Sequence, residues 1–228
     1  ICPIFANEAV PNVPAGYLNG VAERVQAHNG LLIFDEVQSG FGRTGQLWGY
    51  EYVGVQPDIV TLGKPMGNGH PIAAVVASSE LVNAFRSDVM YFNTFGGNPV
   101  SCAVAQAVLD VIEDEQLVSN ARDVGHYLRS GLQDLQQVHE VMGDVRGPGL
   151  FLGVELVSDR QAKQPATQLA AQVINTMKAK RVLISKIGPF DNVLKIRPPI
   201  VFSKNNADQL LDTLDEVLTE LVKQGGIS

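Results

Sequence analysis

Three short apolar runs recur between polar, glycine-rich stretches: "LLIF" (31–34), "DIVTLG" (58–63) and "AAVVAS" (73–78). Each is the length of a strand and lacks polar alternation, and LLIF suits a strand buried on both faces. Residues 16–28 carry Leu18, Val21 and Val25 at helical spacing, and His28-Asn29-Gly30 supplies a stop. "ICPIF" (1–5) reads as one more strand. Strand and helix signals alternating in this way predict an α/β fold, a mostly parallel sheet with helices on its faces.

Further along the pattern changes. From Pro99 to Gln137 it is helical, with one stripe through Val100, Val104, Val108, Val111 and Ile112 and another from Leu117 to Leu135. "GDVRGPGLFLGVELV" (143–157) reads as strand, glycine turn, strand. A helix over 166–181, short strands "VLIS" and "VLKI", and a helix over 205–223 complete a small α+β domain. The division is predicted inside the helical stretch, with residues 1–113 in a large domain and 114–228 in a small one. No repeat or low-complexity linker separates them.

Composition narrows the partners. A net charge of −7 with no basic run argues against nucleic acid. Two cysteines, Cys2 and Cys102, are too few for a disulfide framework; both are expected to pack as small hydrophobes in a reducing, cytoplasmic setting. No apolar run reaches the length of a membrane span, and no charged-then-apolar leader is present. A chain opening on ICPIF, without an initiator methionine, is expected to be a fragment of something longer. No spacing of His, Cys or Asp suggests a metal.

The segment "LLIFDEVQSGFGRTG" (31–45) poses a choice. Gly40, Gly42 and Gly45 match a G-x-G-x-x-G loop, but such a loop must follow its strand directly and open a helix, whose N-terminus binds pyrophosphate. Here DEVQS intervenes and no helical stripe follows, so the glycines are turn punctuation. Asp35 closes a strand whose C-terminal end would face the ligand crevice of an open α/β sheet. It reads either as a turn cap or as a carboxylate awaiting a cation, since a buried carboxylate costs several kcal/mol unless paired. Lys64, in "TLGKPMGNGHP" (61–71), lies just past the next strand and at the same crevice. An amine desolvated there has a lowered pKa and is a nucleophile for Schiff-base formation. A lysine imine with an acid at a pyridinium nitrogen is the arrangement used with pyridoxal phosphate.

"LLIFDEVQSGFGRTG", "PDIVTLGKPMGNGHPIAAVV", "YFNTFGGNPVSCAVAQAVLDVIE" and "VLKIRPP" together resemble the class-III pyridoxal-phosphate-dependent aminotransferases, collinearly over essentially the whole chain. The acid–lysine separation, 64 − 35 = 29 residues, is also that of the family. The resemblance implies an aspartate-aminotransferase-like fold: the C-terminal part of the large mostly parallel-sheet domain plus the small C-terminal domain, in a homodimer with shared active sites. It implies that Asp35 pairs with the cofactor's ring nitrogen. At about 4 Å and an effective dielectric near 20 such a pair gains roughly 4 kcal/mol, enough to keep the ring protonated. Lys64 would form the Schiff base with pyridoxal 5'-phosphate and then shuttle a proton. Gln38 would hydrogen-bond the phenolic oxygen, Thr94 and adjacent backbone N–H groups would reach the phosphate of the neighbouring subunit's cofactor, and Arg197 would grip a substrate carboxylate. Lys195 would be a spectator, His70 a loop residue, and His28, His126 and His139 solvated.

The match also departs from the family. About half of a typical member is absent, so this chain alone cannot form a complete site. Cys2 stands where relatives have glutamate before proline, and Asn7 where 4-aminobutyrate aminotransferases carry a glutamate that gates the substrate arginine, which argues against that substrate. The expected activity is amino transfer between an amine or amino acid and a 2-oxo acid. Several segments look closest to the branch of ethanolamine-phosphate phospho-lyase, with alanine–glyoxylate aminotransferase a near second, so phosphate elimination from an aminoalkyl phosphate is the alternative. An inactive fragment that folds without cofactor is a further one.

Overall fold

A computed structural model describes residues 1–225, which form two compact units. The first contains Ile1–Ile4 and Val13–Val118; the second contains Phe5–Asn12 and the chain from Ser119 onward.

In the first unit, α1 (Tyr17–Ala27) precedes β1 (Ile33–Asp35), and α2 (Gly49–Val53) precedes β2 (Ile59–Leu62). After a 3₁₀ turn at Lys64–Gly67 come β3 (Ala74–Ala77), α3 (Ser79–Asp88) and α4 (Pro99–Asp114). Leu18, Leu32, Phe34 and Val55 form the core that seats α1 against β1. β1 and β2 are parallel, as alternation predicted, with Ile33 opposite Ile59 and Asp35 opposite Thr61. Asp58 Oδ2 accepts from the Leu32 N–H at 2.7 Å, fixing where this pair begins. β3 instead runs antiparallel to β2. Residues 63–73 join them without the crossover helix that a parallel partner needs.

Three expectations fail in this unit. ICPIF is not a strand: Ile1 bonds to Ile33 and Asp35, but Pro3 has no N–H with which to extend a ladder. The LLIF strand is covered on one face only, since Leu32 and Phe34 are buried while Leu31 and Ile33 are exposed. The stripe expected on α4 holds in part, with Ile112 buried and Val104 and Val108 half-buried while Val100 and Val111 are exposed, but Cys102, expected to pack, is exposed. Large apolar side chains also stand open on the segment after α3, with Met90 99% and Phe92 81% exposed.

The second unit is a sheet ordered β4-β5-β8-β7, built from β4 (Met142–Arg146), β5 (Leu152–Asp159), β7 (Ser185–Ile187) and β8 (Val193–Ile196). Its neighbours are antiparallel, and the two-residue β6 (Gln164–Pro165) pairs with β5. Helices α5 (Leu117–Val138), α6 (Thr167–Ala179) and α7 (Lys204–Gly225) pack on it through Leu128, Leu132, Val173, Met177, Leu214 and Leu218. Each such buried side chain contributes about 1.5–3 kcal/mol. Gly125 of α5 lies so near the β4–β5 turn that a Cβ would sit 2.3 Å from the Gly149 carbonyl carbon.

Segment Phe5–Asn12 is tied to this unit by Arg146, which is 7% exposed. Its Nε donates to the carbonyls of Ala9 and Val10, and its Nη1 contacts Asp144 and Glu155 at 2.9 and 2.6 Å. His139, expected in solvent, is buried beside Asp215 at 2.6 Å. Among the described residues no helix is long and apolar enough to cross a membrane, and no group of His, Cys, Asp or Glu could hold a metal.

Candidate functional site

The C-terminal ends of β1 and β2 carry the two residues on which the sequence reading rests. Asp35 is the last residue of β1 and pairs with Thr61; Lys64 follows Thr61 by three residues. β1 and β2 are parallel, so Asp35 and Lys64, which opens the 3₁₀ turn just past β2, both leave the same end of the strand pair.

Lys64 is held at φ +37°, a left-handed conformation that a residue with a Cβ enters at a cost of about 1–2 kcal/mol. The turn is fixed by bonds from Met66 N–H to Gly63 O, Asn68 N–H to Pro65 O and His70 N–H to Gly67 O. The side chain is exposed, as is that of Asp35. Asp35 is therefore not a buried carboxylate; it is a turn cap as well, since its Oδ1 accepts from the Val37 N–H at 2.9 Å, which leaves Oδ2 for a ligand.

The buried acid is its neighbour. Glu36 is 0% exposed and accepts from Ser39 Oγ at 2.6 Å, Gly49 N–H at 2.9 Å and Tyr50 N–H at 2.7 Å. It closes the loop 36–50 on itself, and a Cβ at Gly49 would lie 2.9 Å from Glu36 Oε2 and 2.6 Å from Ser39 Cβ. Burial, then the Glu51 and Glu36 carboxylates, raise the Tyr50 phenol above its usual 10.0. Half-buried Gln38 sits in the first turn of this loop, where Gly40 N–H bonds Glu36 O. Gly40, Gly42 and Gly45 lie in turns, and the helix that follows has five residues. Phe41, at φ +59°, packs edge-on against Trp48.

Thr94 is exposed, between Phe92 and Phe95. Two of the backbone donors expected beside it are already used: Phe95 and Gly96 N–H both bond Asn93 Oδ1. Arg197 belongs to the second unit, where it lines a cavity of about 540 Å³ with Arg181, Ser185, Lys195, Phe202 and Asn206. Lys195, expected as a spectator, is buried. It is 9% exposed, its Nζ donates to Asn7 Oδ1 at 3.1 Å, and it lies 5.7 Å from the Phe151 ring centre. Glu36 and Arg146 escaped the sequence reading; two adjacent acids after a strand were the only available hint of the first.

The first unit thus carries the Lys64 amine, the Asp35 carboxylate, the Gln38 amide and the Thr94 hydroxyl, with the loop of Gln38 closed by buried Glu36. That donor set fits pyridoxal 5'-phosphate: an amine for the aldehyde, an acid for the ring nitrogen, an amide for the phenolic oxygen.

Comparison with known proteins points the same way. The family described as "Aminotransferase class-III" matches residues 1–218. An "Alanine--glyoxylate aminotransferase 2-like" protein of Drosophila melanogaster is 50% identical over 214 residues, 92% of this chain and 43% of that protein. "Ethanolamine-phosphate phospho-lyase homolog 1" of Caenorhabditis elegans is 46% identical over 210 residues, 90% of this chain and 45% of that one. Among solved structures, a phospholyase from Arthrobacter in complex with phosphoethanolamine superposes with a TM-score of 0.93 at 49% identity, covering 96% of this chain and 52% of the other. The chain spans about half the length of the relatives it matches.

Proposed function

This chain belongs to the class-III aminotransferase family, whose cofactor is pyridoxal 5'-phosphate, and on that premise we propose that it supplies the lysine-bearing part of an enzyme moving an amino group between an amine or amino acid and a 2-oxo acid. The observation that carries the reading is Lys64, strained at φ +37° and three residues beyond the strand partner of Asp35. When bound, the cofactor supplies an electron sink for the pair left on the substrate carbon.

The residues divide the remaining work. Asp35 Oδ2 would pair with the ring nitrogen, Gln38 would hydrogen-bond the phenolic oxygen, and the Lys64 amine would hold the aldehyde carbon and move the proton at the substrate carbon. The Thr94 hydroxyl would reach the phosphate of the neighbouring subunit's cofactor. Arg197 would grip an anionic substrate group by a bidentate contact. We read the exposed apolar segment around Thr94 as covered in a homodimer with shared sites, an exposed patch of that kind being the mark of an interface.

A second reading, phosphate elimination from an aminoalkyl phosphate, is favoured by the 49% identity to the Arthrobacter phospholyase. It uses the same Asp35 and Lys64, because removal of a proton from the aminated carbon is common to both outcomes. Assaying the full-length holoprotein for inorganic phosphate release from phosphoethanolamine, beside 2-oxo-acid-dependent amino transfer from alanine, separates the two. Amino transfer without phosphate release supports the primary reading; release without transfer replaces it with the second.

A further inference from the structure

The turn that carries Lys64 ends at His70, and His70 reaches a different element. Its Nε2 lies 2.8 Å from Ser101 Oγ, in the first turn of α4. Ser101 Oγ is also 3.0 Å from Asn98 Nδ2, and the Ser101 N–H donates to Asn98 Oδ1 at 2.9 Å. Asn98 Nδ2 in turn donates to the Phe95 carbonyl at 2.8 Å, one residue from Thr94. An unbroken run of side-chain hydrogen bonds therefore connects the turn at 64–70 to the segment at 93–98. The segment at 93–97 is exposed and set locally by the Asn93 side chain, while the turn at 64–70, with Lys64 and Asn68 in left-handed geometry, buries Gly67 and half-buries Met66 and His70.

We propose that His70 and Ser101, with Asn98, are positioning residues that lock the Lys64 turn to the Thr94 segment, so that the amine of one site and the hydroxyl that reaches the neighbouring subunit's cofactor are placed as one body. This rests on the cofactor reading of Lys64 and Thr94 given above. Neither His70 nor Ser101 touches the reacting atoms; each acts through the loop it holds. The bond is made in either imidazole tautomer, since a hydroxyl both donates and accepts. Ser101 is replaceable without loss of the helix cap, because Asn98 Oδ1 bonds its backbone N–H.

The test combines two measurements on the full-length holoprotein. Amide hydrogen exchange by mass spectrometry reads the segments 64–70 and 93–98, and titration with pyridoxal 5'-phosphate reads affinity. Ser101→Ala and His70→Phe are expected to speed exchange in both segments together and to weaken cofactor binding, each by about five-fold, the worth of one net hydrogen bond. Ser101→Thr, which keeps the hydroxyl, is expected to restore both. The lock is overturned if Ser101→Ala leaves exchange at 64–70 at the wild-type rate, or if Ser101→Thr behaves like Ser101→Ala. A wild-type protein that takes up no pyridoxal phosphate would defeat the cofactor reading instead, and the exchange comparison would still decide whether the two segments are joined.

Discussion

Asp35 and Glu36 are chemically alike, adjacent, and placed by the pleat in different environments. β1 alternates exposed and buried side chains, so the acid that ends the strand faces out and the next one faces in. Asp35 is left for a ligand, while Glu36 spends its oxygens on three donors of the loop behind it. Glu36→Ala should lower the unfolding free energy by about 2–4 kcal/mol, because it strands buried donors, whereas Glu36→Gln, which keeps one acceptor oxygen, should cost about half as much. Urea denaturation distinguishes them; equal losses would show that loop closure does not depend on those bonds. Lys64 makes the converse case, a residue retained despite its backbone. Lys64→Gly should be more stable than Lys64→Ala by about 1 kcal/mol, since only glycine enters φ +37° without strain. Equal stabilities would mean the turn relaxes.

At the scale of elements, the α/β character and most helices were legible because they rest on periodicity. α1, α6 and α7 formed within a few residues of their predicted spans, and β4 and β5 turned at the predicted glycines. What was not legible depended on partners distant in sequence. The antiparallel β3 follows from the missing crossover, which a list of apolar runs does not show. The burial of Lys195 depends on Asn7 and Phe151, and that of His139 on Asp215. The close approach of α5 to the β4–β5 turn is another such contact. Gly125→Ala should cost about 1–3 kcal/mol by overpacking against the Gly149 carbonyl, read as a lower melting temperature; an unchanged melting temperature would place the helix farther off.

At the scale of the whole molecule, the chain does not divide at a single point. Segment Phe5–Asn12 leaves the first unit, packs with the second under Arg146, and returns, although nothing in its composition marks it as separate. Asn7 and Arg197 thereby belong to one unit and Asp35, Gln38, Lys64 and Thr94 to the other. The family resemblance supplied the pairing of acid and lysine; the structure adds that Asp35 ends β1 opposite Thr61, three residues before Lys64. The most direct test is to incubate the purified full-length protein with pyridoxal 5'-phosphate, reduce with borohydride and map the modified peptide. The expected result is a single pyridoxyl group on Lys64, absent from Lys64→Ala. Modification of another lysine, or none at all, would contradict the account.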